Sequence, residues 1–114
     1  MTLRQARSER EVLRFSAPLE TMPIEDGYDP IGFVALDGEL ADAVSAHELA
    51  RRLELGKRRG FNSVKVTVKV GGSQWRTSLF PRKAGGWFLP IKKPVRLAEE
   101  LSEGRPVEVE LELE

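Results

Sequence analysis

Apolar and polar positions alternate strictly in two stretches of this chain. Residues 64–70, VKVTVKV, place Val64, Val66, Val68 and Val70 on one face and Lys65, Thr67 and Lys69 on the other. Residues 106–114, PVEVELELE, repeat the pattern with Val107, Val109, Leu111 and Leu113 against Glu108, Glu110 and Glu112. Period two with β-branched residues predicts half-buried strands. Gly71-Gly72 tolerates positive φ at both central positions of a tight turn, so residues 64–70 and 73–80 are expected to form a hairpin. In its second strand Trp75, Thr77 and Leu79 share one face, and Arg76, Ser78 and Phe80 the other. Pro81 ends that strand, Ala84-Gly85-Gly86 turns the chain, and Trp87-Phe88-Leu89 forms a short strand stopped by Pro90.

Two stretches read as helices. After the strand IGFVALD (31–37) comes GELADAVSAHELARRLEL (38–55). Within it Ser45 and Glu48 have capping-box spacing, which allows two short helices or one with a break near 44–45. The second, KKPVRLAEEL (92–101), carries Pro94 in its first turn and is expected to stop at Gly104. TMPIEDGYDP (21–30) is turn-rich and reads as the longest loop. Residues 1–10 are polar and read as a flexible N-terminal extension, leaving 11–114 as a single domain.

The two halves run in the same order: strand, loop, strand, helix, strand. Two such halves in one chain can close a barrel on themselves and remove the edges that each alone would expose. The expected fold is therefore mainly β, a small closed barrel of six or seven strands with two short helical connections. It would be competent as a monomer, with a dimer as the alternative.

Composition narrows the chemistry. The 114 residues contain no cysteine, which excludes disulfides and thiolate metal sites and makes a reducing cytoplasm the default setting. No apolar run is long enough for a signal peptide or a membrane span. The formal charge of zero conceals three blocks. Residues 1–50 hold four Arg against ten acidic side chains, 51–96 hold thirteen Lys and Arg against Glu54, and 97–114 hold Arg105 against seven Glu. Whether folding interleaves these blocks or leaves a basic face decides how the molecule meets anions.

Candidate sites follow from that pattern. His47 is the only histidine and has no Cys or second His for a metal cluster, so it reads as a helix-surface or partly buried imidazole. Ser73, Thr77 and Ser78 lack a base nearby in sequence. Glu108, Glu110 and Glu112 read as a solvated face paired across strands with Lys65 and Lys69 rather than as acid–base machinery. No catalytic constellation, cofactor or metal site is expected. The basic block remains, with Lys57, Arg58 and Arg59 before a strand, Arg82 and Lys83 at a hairpin tip, and Lys92, Lys93 and Arg96 around a helix start. With Trp75 and Arg76 these form the candidate binding set (Trp75, Arg76, Arg82, Lys83, Lys92, Lys93 and Arg96) for nucleic acid or another polyanion. The competing reading has the acidic strand and first helix neutralising them, both tryptophans in the core, and Arg76 in a structural ion pair.

The run GGSQWRTSLFP with Gly85, Gly86, Leu89 and Pro90, continued by Val95, Arg96 and 104–111, resembles a family of small uncharacterised bacterial domains. FSAPLE (15–20) resembles that family's first strand and KRRGFNSVKV (57–66) the lead-in to its central hairpin. Arg105 departs from the Asp more usual after that glycine. The resemblance implies a double-split β-barrel, found alone or attached to a YdeI-type domain, and implies no activity. Residues 87–113 also resemble the half-barrel of AbrB- and MazE-type regulators, which dimerise and bind DNA through Arg and Lys. Here the second half is supplied in the same chain. The expected function is a non-enzymatic binding or scaffold module, with AbrB-like nucleic-acid binding through the basic 57–96 segment as the alternative.

Overall fold

The computed structural model describes residues 10–55 and 63–114. In chain order the elements are β1 (Val12–Pro18), β2 (Glu20–Met22), β3 (Ile31–Leu36), α1 (Gly38–Leu55), β4 (Val64–Val70), β5 (Ser73–Pro81), β6 (Trp87–Pro90), α2 (Lys93–Ala98) and β7 (Pro106–Leu113). Lys57, Arg58 and Arg59 lie outside the described residues, as does most of the expected N-terminal extension.

The strands form one curled antiparallel sheet in the order β1-β7-β4-β5-β6-β3-β2. Its two ends are successive stretches of a single extended segment, separated by Leu19 alone. β1 pairs with β7 along its whole length, Val12 opposite Glu112 and Pro18 opposite Pro106. β2 pairs instead with β3. At the break the Leu19 side chain is buried, its N–H donates to the Arg105 carbonyl, and its own carbonyl accepts from the Gly104 N–H. β5 behaves similarly in the second half: residues 73–79 pair with β4, and only Phe80 and Pro81 pair with β6. Each half's first strand thus begins on the other half's last strand and ends on a strand of its own half. The last strands of the halves, β4 and β7, pair with each other, as do β3 and β6.

The core is what the alternation predicts. Val64, Val66, Val68 and Val70 are buried with Val107, Val109, Leu111 and Leu113, joined by Leu36, Leu79, Leu89 and Ile91. Among the described residues no polar or charged side chain is buried. On the outer face Phe80, Phe88 and Phe33 form an aromatic ladder across β5, β6 and β3, with ring centroids 5.6 and 5.7 Å apart. Such contacts contribute about 0.5–1.5 kcal/mol each beyond burial.

Three local expectations change. α1 is one uninterrupted helix of 18 residues, with no break near 44–45. Ser45 is no cap: its hydroxyl accepts a hydrogen bond from Trp87 Nε1 at 2.9 Å, and Glu48 pairs with Arg52 one turn on. α2 does carry Pro94 in its first turn, but it ends well before Gly104. The Leu101 N–H reaches back to the Arg96 carbonyl and the Glu100 N–H to the Leu97 carbonyl, with Glu100 itself at φ 55°. That is a Schellman closure with a non-glycine residue at the left-handed position.

The hairpin glycines differ in role. Of Gly71 and Gly72 only Gly71 has positive φ, at 57°, the pattern of a type II′ rather than a type I′ turn. The Glu99 carboxylate lies against Gly71, accepting from the Gly72 N–H at 3.3 Å and from Ser73 Oγ at 2.6 Å. A methyl group at Gly71 would occupy the space of that carboxylate. Gly71→Ala is expected to destabilise the fold by about 1–3 kcal/mol, combining backbone strain with loss of the Glu99 contacts. At Gly72 the nearest carboxylate oxygen would be 3.9 Å from a methyl, so Gly72→Ala is expected to cost less than about 0.5 kcal/mol. Urea melts of the two variants check the difference.

Candidate functional site

Because β6 follows β3 rather than β5, the sheet opens between them. Ile91 continues the β3 side, its N–H donating to the Gly32 carbonyl at 2.8 Å, while β5 leaves β6 beyond Phe80. The opening is a groove of about 310 Å³. One wall is Trp75, Arg76 and Thr77 of β5; the other is Pro90 to Lys93 with Arg96, and the segment 29–32 closes one side.

Five of the seven residues singled out from sequence meet here: Trp75, Arg76, Lys92, Lys93 and Arg96. Arg82 and Lys83 do not. They stand at the β5–β6 turn, where Arg82 lies 3.9 Å from Asp37 and 6.0 Å from the centre of the Phe33 ring. Trp75 is partly buried against the core as well as lining the groove. Trp87 is 6% exposed and belongs to the core.

The groove cations differ in how they are satisfied. Arg76 donates to both oxygens of Glu114, at 2.7 and 3.2 Å, which is the ion pair with the acidic terminal stretch that the charge pattern allowed. Thr67 also donates to Glu114, at 2.8 Å. These hydrogen bonds hold the Glu114 carboxyl below its ordinary range, Arg76 contributing most, and the same pairing raises Arg76. Lys93 donates to Asp29 at 2.8 Å and lowers its carboxyl. Lys92 is exposed and has no carboxylate partner among the described residues.

Arg96 is set differently. Its guanidinium donates to the Ile91 carbonyl at 2.6 Å and the Pro30 carbonyl at 3.4 Å. No carboxylate among the described residues pairs with it. The side chain lies directly over Gly32, where a methyl group would come within 2.8 Å of Arg96 Cδ. Gly32 is thus the residue that lets an arginine lie flat on β3. A guanidinium has five N–H donors, and these carbonyls neutralise none of its charge.

Sequence reasoning missed Asp29, Gly32 and Glu99, and located the partner of Arg76 only as far as the acidic terminal stretch. Asp29 lies in a turn-rich loop without periodicity, and Gly32 reads as an ordinary strand residue. Of the β7 glutamates, Glu110 lies 4.0 Å from Lys69 of the basic block and 3.1 Å from Arg14 outside it. They do not reach Lys92 or Arg96.

Elsewhere polar groups serve the fold. His47 is partly buried and its Nε2 lies 2.8 Å from the Glu114 backbone carbonyl, tying α1 to the end of the sheet. Among the described residues no group of three or more His, Cys, Asp or Glu side chains could hold a metal ion. No helix among them is long and apolar enough to cross a membrane.

The Glu114 cluster has a pH signature. A carboxyl whose folded pKa lies below its unfolded value of about 4.5 adds stability above that value and loses it as pH falls through the folded one. Glu114→Gln is therefore expected to be less stable than the parent at pH 7, with the gap closing as the pH drops below about 4.5. Urea midpoints at neutral and acid pH measure this, and a gap that stays constant would contradict it.

No curated protein matches the chain. A family model described as a domain of unknown function (DUF1905) matches residues 15–111, from β1 through most of β7. With nearly the whole sheet inside that match, the chain belongs to the DUF1905 family.

Proposed function

We propose that this domain is a non-enzymatic binding module whose ligand is an anion held in the groove between β5 and α2. The observation that carries the reading is Arg96, laid over Gly32 and held by two backbone carbonyls with no described carboxylate partner. A partly buried cation held in place by dipoles alone keeps its full charge and its remaining donors for a ligand. Lys92 stands in the same groove and adds a second uncompensated charge. The volume, about 310 Å³, is at the lower end of ordinary ligand sites.

The AbrB-like alternative needs a continuous basic track. Arg82 is engaged with Asp37 and Phe33, and Arg76 with Glu114. A compact anion site therefore suits the placement of charge better than a phosphate-backbone track, which draws affinity from many contacts. The test is a titration of the protein with inorganic phosphate followed by amide chemical shifts. Shifts are expected at 31–32, 75–77, 91–93 and 95–96, abolished in Arg96→Gln and weakened in Gly32→Ala. Shifts confined to other regions, or none at millimolar phosphate, would remove the reading.

The fold belongs to the same proposal. β1 and β2 are joined through Leu19 while lying at opposite ends of the sheet order, which supports a closed double-split barrel complete within one chain. A bacterial, cytoplasmic monomer is the setting we carry with it. Light scattering is expected to report a mass near 12.8 kDa; twice that value at low concentration would overturn the monomer.

A further inference from the structure

The groove runs beside something that a simple anion does not need. Over residues 73–79, β5 has β4 on one side and no strand among the described residues on the other. Arg82 donates its N–H to the Gly86 carbonyl, so even-numbered residues turn their backbone groups toward β6. Beyond Phe80 that same set continues as Ser78, Arg76 and Gln74, now facing the opening. Seven residues of strand span roughly 23 Å at about 3.3 Å per residue. A free edge of that length is a template for another extended chain.

Resting on the anion reading above, we propose that the ligand is an extended acidic peptide segment, added as a strand to the free edge of β5. Backbone groups of Gln74, Arg76 and Ser78 would pair with it. Its carboxylates would reach Arg96 and Lys92 on the opposite wall, and an alternate side chain would lie against Trp75 and Thr77.

Charge decides the occupant. The groove is lined by Arg76, Lys92, Lys93 and Arg96 against Asp29 alone. The chain's own stretches 1–9 and 56–62 are net basic by sequence, so neither offers the complementary charge. The fold already pairs an acidic strand with a basic one: β7, with Glu alternating along it, lies against β4, and Lys69 faces Glu110 in register. Two cations without a carboxylate hydrogen-bond partner among the described residues match one or two carboxylates, whereas a nucleic-acid strand would present a phosphate every few ångströms and require a longer basic track.

The test uses the full chain and a fluorescein-labelled heptapeptide of alternating Thr and Glu, followed by anisotropy. Binding is expected to weaken with salt and to fall about tenfold in Lys92→Glu and in Arg96→Gln, the loss of one charge-assisted contact. N-methylating alternate residues blocks one backbone edge of the peptide. One methylated set is expected to lose about tenfold and the other less than about twofold, since only one edge can pair with β5. Amides of Gln74, Arg76 and Ser78 should gain protection from hydrogen exchange when the peptide binds. Equal affinity for both methylated sets, with charge dependence intact, would overturn the added strand and leave the anion site standing. Binding insensitive to salt and to both charge variants would bring down the anion site as well. Tighter binding of an oligothymidylate than of the peptide would assign the groove to nucleic acid and overturn the proposal.

Discussion

The structure depends on one constraint: each half's first strand must pair with two different partners along its length. Residues 12–18 lie on β7 and residues 20–22 on β3, with the buried Leu19 at the change. Residues 73–79 lie on β4 and residues 80–81 on β6. Switching partners in mid-strand lets a short chain curl a seven-stranded sheet around one core. It also forces the sheet open wherever the second partner diverges.

That opening explains why the groove is where it is. β6 stays with β3, and Ile91 turns into the core behind it. Beyond Phe80, β5 then has no strand on that side among the described residues. α2 follows at once, and its Arg96 folds back over Gly32 to satisfy the Ile91 and Pro30 carbonyls. The Ile91 carbonyl is partly buried at the end of the regular pairing, and leaving such a group unpaired away from water costs about as much as a lost hydrogen bond. Arg96 thus has a structural reason to be present and a charge left over. The two roles are compatible, because carbonyl acceptors stabilise a guanidinium without cancelling it.

Much of this was legible in the chain. Alternation assigned the buried faces of β4 and β7 correctly and grouped the β5 residues by face, and Pro94 marked the start of α2. Arg76 found its partner in the acidic terminal stretch. Other signals misled for identifiable reasons. Ser45 and Glu48 have the spacing of a cap, but Trp87 takes the Ser45 hydroxyl and the helix runs straight through. Gly104 looked like a helix stop, while Glu100 adopts the left-handed conformation four residues earlier. Capping motifs report local preference, and a contact from a distant strand can override it.

By itself, the sequence determined which sides of β4 and β7 face the core, the position of the central hairpin, and the absence of thiol chemistry. These depend on residue type and spacing within a few positions. Tertiary structure decided which charges are silenced. Arg76 meets Glu114 across 38 residues and Lys93 meets Asp29 across 64, while the hydrogen bonds of Arg96 among the described residues go to backbone carbonyls. Period two tells which face a side chain takes and carries nothing about what stands opposite. That depends on the path of the whole chain, and here the path sets Arg51, Arg52, Lys69, Arg76, Arg82 and Lys93 beside carboxylates while leaving Lys92 and Arg96 beside an open strand edge.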